Sequence, residues 1–462
     1  MKVFLETMGC QMNQLDSELL VARLRAAGHE LVDAPLSAEV VLYNTCSVRQ
    51  HPEDKVYSRL GDQSKRKLRR QKQLIIGVLG CLAQRRGEQM MNDFPQLDIV
   101  CGPSEIDRLP EMIDQAAQAR ERTLAIAPPR KRRTRAQDEQ SNQRLEAFDL
   151  ARPAPGGVAQ SFVRVQRGCD KFCAYCVVPH VRGSEQSRDP RKIIEEVRRL
   201  AGAGCKEVTL LGQSVNSYHF TRDGQTTRLA DLLEALDPIS GIERIRFVAN
   251  YPADFDHAIL HAMRDLPRVC EYLHMPAQSG SDAVLRAMNR KYTASQYLEL
   301  IAAAREIVPG ITFASDFIVG FPGETEEDLQ ASCELVRQVR YKNSYIFKYS
   351  PRGGTFAADH LADDVPEDVK RRRHSELLTT QDAVSLAHHT AMIGTIQQVL
   401  VEGPSPRTTK QPIPPRPGMV QMEGRTRGDH IIAFDAPAAR VGQLADIRIT
   451  IVTPLAMRGE LL

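Results

Sequence analysis

The chain reads as an α/β protein in three parts: an N-terminal open parallel-sheet domain, a central incomplete (β/α)6 barrel and a C-terminal small all-β barrel. Three observations predict this. Strand-like and helix-like runs alternate over about the first 120 residues and resume from Phe162 to about Pro351, the rhythm of parallel sheets with crossover helices. Between them, residues 126–157 lose the rhythm. They hold APPRKRRTR, QDEQSNQR and RPAPGG, poor in apolar residues with Pro and Gly at both ends, and read as a basic, polar linker. Beyond residue 391 short strands follow one another with no helix between them, which suits a small barrel. The expected divisions are therefore 1–125, 126–157, 158–390 and 391–462.

Each element follows from its pattern. Lys2–Thr7, Val40–Asn44, Leu74–Leu79 and Leu97–Val100 read as strands, and Leu15–Ala27 and Pro52–Leu60 as helices, the former with apolar residues recurring at three and four positions. The second stretch predicts strands at Phe162–Gln166, Glu207–Leu211, Arg244–Val248, Tyr272–Met275, Thr312–Val319 and Ser344–Tyr349. Helices are expected at Pro190–Ala201, Leu229–Leu236, Asp282–Met288, Ala294–Ile307 and Glu326–Val339. Six βα repeats of this kind place active groups at the strand C-terminal ends. A helical connector, Glu367–Ala391, leads to short strands at Thr395–Val401, Met419–Met422, Ile431–Phe434 and Asp446–Val452. The Pro-rich piece Gly403–Gly418 reads as a surface loop.

Bulk properties narrow the classes. The chain has 462 residues, 26% charged and 42% hydrophobic, which is ordinary for a globular protein of several domains. No apolar run reaches about 18 residues, so a membrane-spanning helix is excluded on length. The N-terminus MKVFLETMGC lacks the basic and apolar regions of a signal peptide, and a cytoplasmic setting is expected. Net charge is only +3, but basic runs stand at Lys65–Arg70, Arg130–Arg135 and Lys370–Arg373. Singly, such runs are ordinarily solvated faces; three together point towards a polyanionic partner. Ten cysteines in a reducing compartment are thiols, and their clustering points to metal or redox chemistry.

The sharpest cluster is Cys169-x3-Cys173-x2-Cys176 in RGCDKFCAYCVVP. Three cysteines this close are not ordinary buried residues. A closed zinc site wants four ligands, and only His180 stands near enough to serve as a fourth. Iron–sulfur clusters prefer thiolates, and three ligands would leave one iron of a cubane open to a substrate or cofactor. The motif directly follows the first predicted strand of the barrel, where such folds place catalysis.

A second set is spread out. Cys10, Cys46 and Cys81 each stand at or just past the end of a predicted strand, in FLETMGC, VVLYNTC and IIGVLGC. In an open parallel sheet those ends converge on one crevice. Small or polar companions (Gly9, Gln11, Asn13, Asn44, Thr45, Gly80) would let a cluster approach closely. Cys101 also ends a strand, and Cys205, Cys270 and Cys333 fall on or near helices; ordinary burial is the expectation for all four.

These motifs carry a resemblance. The triad with Tyr175 before its last cysteine is similar to the radical S-adenosylmethionine (SAM) superfamily. Its order of parts, with MGCQMNQLDSE (8–18), NTCSVR (44–49), GCLAQRRGE (80–88), LLGQSVNSY (210–218), HMPAQSGSDAVLRAMNR (274–290), DFIVGFPGETEED (316–328) and YSPRGGTFAA (349–358), resembles the methylthiotransferases throughout. GCQMN and NTCSVR resemble the MiaB type, tRNA-2-methylthio-N6-dimethylallyladenosine synthases, more than siblings acting on a ribosomal protein or on threonylcarbamoyladenosine. Departures are Ser214, Gly353, Phe356, His180 and the long loop 403–418; none touches the six cysteines.

The resemblance implies two 4Fe-4S clusters and SAM as cofactors. It assigns Cys169, Cys173 and Cys176 to the radical cluster, Cys10, Cys46 and Cys81 to an auxiliary cluster, and Tyr175, Gln213 and Asp316 to the cofactor's border. It implies methylthiolation at C2 of dimethylallyladenosine 37 in a tRNA anticodon stem-loop. That C2–H is neither acidic nor electrophilic, so a hydrogen-abstracting radical is required and the cofactor must supply it. A reductant protein such as flavodoxin or ferredoxin and a sulfur donor are implied as further partners. The C-terminal barrel resembles the TRAM RNA-binding module, and Arg425 and Arg427 in MEGRTRG, on a predicted turn, are expected phosphate contacts.

Overall fold

The computed structural model describes residues 1–47, 50–69, 73–128, 135–151, 159–405 and 418–462. The chain divides into two units. One holds residues 1–153 with 167–172 and 176–188; the other holds 154–166, 173–175 and 189–462.

The first unit is built on six parallel strands: β1 (Lys2–Met8), β2 (Glu30–Leu31), β3 (Val40–Thr45), β4 (Ile75–Gly80), β5 (Ile99–Cys101) and β6 (Thr123–Ala125), in the order β2-β1-β3-β4-β5-β6. Every residue of VVLYNT and of IIGVLG is buried, as strands covered on both faces require. The covering helices are α1 (Gln11–Ala26), α2 (Gln50–Arg69), α3 (Cys81–Asp93) and α4 (Leu109–Ala119). Helix α1 buries Met12, Leu15, Leu19, Leu20 and Leu24 along one stripe. The pairing register sets Met8 beside Thr45 and Thr45 beside Gly80, so β1, β3 and β4 end level.

The segment expected to be a linker contains a further helix, α5 (Arg135–Leu150). Mean hydropathy hid it. Its few apolar residues, Leu145 and Phe148, are buried, and its acids are engaged by arginines: Glu146 accepts from Arg188 at 2.7 and 2.8 Å, and Asp149 accepts from Arg167. Residues 129–134 and 152–158 lie outside the described residues, and with them most of the basic run Arg130–Arg135.

In the second unit three parallel strands, Gln160–Arg164, Glu207–Leu211 and Arg244–Val248, are followed by three more, Tyr272–His274, Thr312–Val319 and Asn343–Lys348. A single parallel bridge, Ile245 to Val269, connects the two sets. The strands stand within a residue or two of their sequence expectations and form the incomplete barrel. Several helix starts are fixed by side chains. Thr293 with Gln296 and Thr325 with Asp328 form capping boxes, and Asp189 and Ser281 cap their own helices.

The helix Glu367–Thr390 leads into a closed five-stranded barrel of Ile396–Pro404, Val420–Arg425, Ile431–Ala436, Leu444–Val452 and Met457–Leu461. The last strand was not expected from the sequence. It closes the barrel between Ile431–Ala436 and Leu444–Val452. Val399, Val401, Met422, Ile432, Phe434, Ile447 and Met457 fill the interior. The barrel docks on the larger one through buried arginines: Arg244 donates to the carbonyls of Arg425 and Gln398, and Arg246 to those of Thr426 and Arg427. No helix among the described residues is long and apolar enough to cross a membrane.

Candidate active site: two cysteine triads

The level ends of β1, β3 and β4 place three cysteines side by side. Cys10 is the N-cap residue of α1, Cys46 follows β3 directly, and Cys81 opens α3. An asparagine network holds the crevice floor. Asn13 donates to Asn44 at 3.0 Å, and Asn44 donates to the Asn13 carbonyl at 3.0 Å and to Ser17 at 2.9 Å. The Cys10 thiol donates to Asn13 Oδ1 at 3.2 Å. Two glycines are required here. A Cβ on Gly9 would lie 2.8 Å from Asn13 Oδ1 and from the Cys46 Cβ; one on Gly80, whose φ is +90°, would lie 2.5 Å from Asn44 Oδ1.

The electrostatics suit a thiolate site. A hydrogen bond with Cys46, the Arg182 charge and the amides of the α1 N-terminus bring Cys10 down to about 6, against burial. Burial pushes Cys81 up, and Arg182 opposes that rise. Arg182 itself is buried, and Cys81, Asp16 and Cys10 outweigh the burial to keep it charged. Among the described residues no three His, Cys, Asp or Glu side chains are grouped so as to hold a single metal ion. The fit to a cluster rests instead on the three thiols at level strand ends, the close packing of the crevice floor that Gly9 and Gly80 permit, and the lowered Cys10.

The loop of the second triad is shaped separately in each unit. In the first, the Cys169 amide donates to the Gly183 carbonyl at 3.1 Å, and Gly168 has φ +72° with Ser184 O only 1.9 Å from where a Cβ would stand. The Val178 amide donates to the Cys176 sulfur at 3.4 Å, a bond that favours thiolate. A short helix, Val178–Val181, follows, and Val177 and Val181 pack on Cys81.

In the second unit Cys173 accepts from Arg290 at 3.4 Å. Arg290 is buried, over Tyr251 at 4.5 Å and Tyr292 at 5.0 Å, and donates to the Pro276 carbonyl and Tyr292 hydroxyl. Tyr175 packs with Phe321 edge to face, in a small cluster with Met288 and Tyr349. At the strand C-terminal ends Gln166 and Gln213 are internal and make no hydrogen bond from either amide atom, and Asn250 Oδ1 and His274 Nε2 also lack one. His274 Nε2 lies 3.3 Å from Asp316 Oδ2, close but not aligned as a hydrogen bond. Buried polar atoms left open at one barrel end are what a polar cofactor such as SAM would satisfy.

Sequence reading named Tyr175, Gln213 and Asp316, and missed Gln166, Asn250, His274, Arg182 and Arg290. One signal was available only in the structure. Ala249 and Gln278 have φ +68° and +71°, strained for residues with a Cβ, and both border this barrel end.

The remaining cysteines are structural: Cys101, Cys205, Cys270 and Cys333 are buried, and burial raises the thiols of Cys101, Cys270 and Cys333. Arg425 and Arg427 do not stand on an open turn. Arg425 pairs with Glu402 at 2.9 Å and with Asp429, and Arg427 grips Glu271 at 2.6 and 2.8 Å and the Pro267 and Val269 carbonyls. Arg427 thereby ties the small barrel to the large one, while Arg425 is braced inside the small barrel itself. Half of the Lys370–Arg373 run faces inward, Lys370 on Asp363 and Arg373 on Glu324 and Glu326, while Arg371 and Arg372 are exposed.

The fold and its three-cysteine loop define a radical SAM protein. Residues 163–336 match the Radical SAM superfamily model, and residues 2–102 match a family described only as the uncharacterized protein family UPF0004. Among solved structures, the radical SAM methyltransferase TsrM from Kitasatospora setae superposes with a TM-score of 0.52 over 77% of each chain, at 14% identity, a likeness of fold. The tRNA-2-methylthio-N(6)-dimethylallyladenosine synthase of Rhodopirellula baltica is 45% identical over 99% of this chain and 95% of its own. That of Syntrophotalea carbinolica is 40% identical over 99% of both. The chain belongs to this family of radical SAM methylthiotransferases.

Proposed function

We propose that the chain attaches a methylthio group to C2 of N6-(dimethylallyl)adenosine 37 in tRNA. The observation that carries the reading is the pair of three-cysteine sites, one at the level ends of β1, β3 and β4, the other in the loop after the first barrel strand. Cys169, Cys173 and Cys176 hold the radical 4Fe-4S cluster; Cys10, Cys46 and Cys81 hold the auxiliary one. When bound, these clusters and SAM supply the electron, the hydrogen-abstracting radical and the sulfur that acid–base groups cannot.

The chain's own residues bind and orient. Arg290 fixes the Cys173 sulfur and the Val178 amide fixes that of Cys176. Gln166, Gln213, Asn250 and His274 offer the open polar groups on which SAM is aligned, with Asp316 beside His274 and Tyr175 against its border. Holding the reacting atoms in near-attack geometry is the protein's contribution to rate. The target base lies in a loop and enters the pocket with little unstacking. Residues 1–125 carry the auxiliary site, 158–390 the radical site, and 391–462 the TRAM-like module. Arg425 and Arg427 shape that module from within, and their RNA contact would run through the backbone they hold. A cytoplasmic flavodoxin or ferredoxin supplies the electron, and a separate donor restores sulfur.

The test is anaerobic turnover of reconstituted protein with SAM, reductant and isopentenyladenosine tRNA, beside a Cys173→Ala control. The 2-methylthio nucleoside should appear only with the intact motif. If neither it nor 5′-deoxyadenosine forms while both clusters are loaded, the reading fails.

A further inference from the structure

We propose that Arg182 is a positioning residue of the auxiliary site, its buried guanidinium holding the ligand thiolates in place and easing reduction of the cluster they bind. The inference rests on the reading of Cys10, Cys46 and Cys81 as cluster ligands.

The geometry is local to one unit. Val177 and Val181 pack on Cys81, so the short helix Val178–Val181 lies against the auxiliary triad. Arg182 closes that helix, its amide donating to the Val178 carbonyl at 2.8 Å. Its Nη2 donates to Asp16 Oδ2 at 2.9 Å; the two side chains are 7% and 1% exposed. Asp16 stands on α1, the helix that Cys10 caps. The guanidinium is thus held by an acid from one ligand's helix beside another ligand's cysteine.

A buried ion pair used only to fasten two segments would leave the reduction equilibrium of a neighbouring site unmoved, whatever its removal costs the fold. Here the site must also accept three thiolates and an added electron in a desolvated crevice. Asp16 balances the resting charge of Arg182, but the guanidinium stays buried between the Cys81-packed helix and the helix that Cys10 caps, and its field favours the more negative state of whatever the thiols bind. Arginine suits this role because it stays protonated under every condition the enzyme meets.

The test uses full-length protein with Cys169, Cys173 and Cys176 replaced by Ala, so that only the auxiliary cluster is reconstituted. Iron per chain and an EPR-monitored redox titration are compared for this parent, Arg182→Gln and Arg182→Lys. The Gln variant should lose at least about tenfold in the reduction equilibrium, about 59 mV for a one-electron couple, while the Lys variant stays near the parent. Where the Gln variant alone loses the cluster, Asp16→Asn/Arg182→Gln, which strands no buried charge, replaces it: a cluster regained at the lowered potential supports the charge role, and one regained at the parent's potential overturns it. An unchanged potential in a fully loaded Gln variant overturns it, and so does loss of the cluster from both single variants, which would mark a role of shape alone. A parent that binds no iron removes the ligand assignment and the inference with it.

Discussion

Arg290 Nη1 donates to the sulfur of Cys173 across 3.4 Å, with its guanidinium over the rings of Tyr251 and Tyr292. A charged, desolvated donor on one ligand of a three-thiol site both orients that ligand and offsets its charge. Arg290→Gln should therefore slow 5′-deoxyadenosine formation by roughly 10- to 100-fold, the worth of a charge-assisted bond of about 1.5–3 kcal/mol. Reductive cleavage of SAM without tRNA measures it; a rate equal to that of the unaltered chain would dismiss the assignment.

The two triads should be separable. Cys46→Ala should reduce iron from about eight to about four per chain and abolish the methylthio nucleoside, while SAM cleavage to 5′-deoxyadenosine continues. Loss of cleavage together with methylthiolation would mean that Cys46 does not belong to a separate site.

Gly80 has φ +90°, and a Cβ there would stand 2.5 Å from Asn44 Oδ1 and 2.6 Å from the Thr45 carbonyl. Gly80→Ala should destabilise the chain by roughly 1–3 kcal/mol through left-handed strain alone. It should also displace Asn44 from the asparagine network and weaken iron retention at the auxiliary triad. Thermal melting of the cluster-free chain reads the first effect, and iron content after gel filtration the second. An alanine variant that melts with the wild type contradicts the close packing.

Three histidines predict the acid response. His388 and His430 face each other at 3.0 Å between their Nε2 atoms, a contact that needs at least one neutral ring, and His389 binds the Thr453 carbonyl. Burial, with Lys342 and the neighbouring imidazoles, holds His430 well below 6.5 and lowers His388; burial and Lys342 lower His389. The folded chain keeps these rings neutral where the unfolded chain protonates. Their stability contribution is thus whole above about pH 6.5 and falls as pH drops below it. Asp429, also close by, is held near 2 by Lys342, Arg246 and Arg425 and stays charged through this window. The melting temperature should decline from about pH 7 to about pH 5.5, and His430→Gln should flatten that slope. Parallel profiles would refute this.

Most of the architecture was legible because its signals are local. Runs led by apolar residues such as VVLYNT and IIGVLG, flanked by cysteine and turn residues, announce buried parallel strands, and the cysteines at their ends follow. What escaped has a common cause. Among its described side chains helix α5 buries two apolar anchors, Leu145 and Phe148, and it is held by Glu146 and Asp149, so average polarity read it as linker. The strand Met457–Leu461 is short and takes its identity from the barrel it closes. Arg425 and Arg427 sit in a sequence that looks like a solvated turn, and only the tertiary fold brings Glu402 and Glu271 to them. Arg182 and Arg290 lie beyond any spacing rule, since their partners are thiols and acids distant in the chain.

The two triads differ in how much chain must be in place before they exist. Cys169, Cys173 and Cys176 occupy eight consecutive residues, whereas Cys10, Cys46 and Cys81 meet only when β1, β3 and β4 have paired in register. A peptide-length site can engage iron while the chain is still loose; a site assembled from three crossovers adds its binding energy to a fold already formed. On the proposed assignment of the two clusters, maturation would be ordered by topology, and a mutation that slows N-terminal folding should yield half-loaded protein, with iron at the second triad and none at the first.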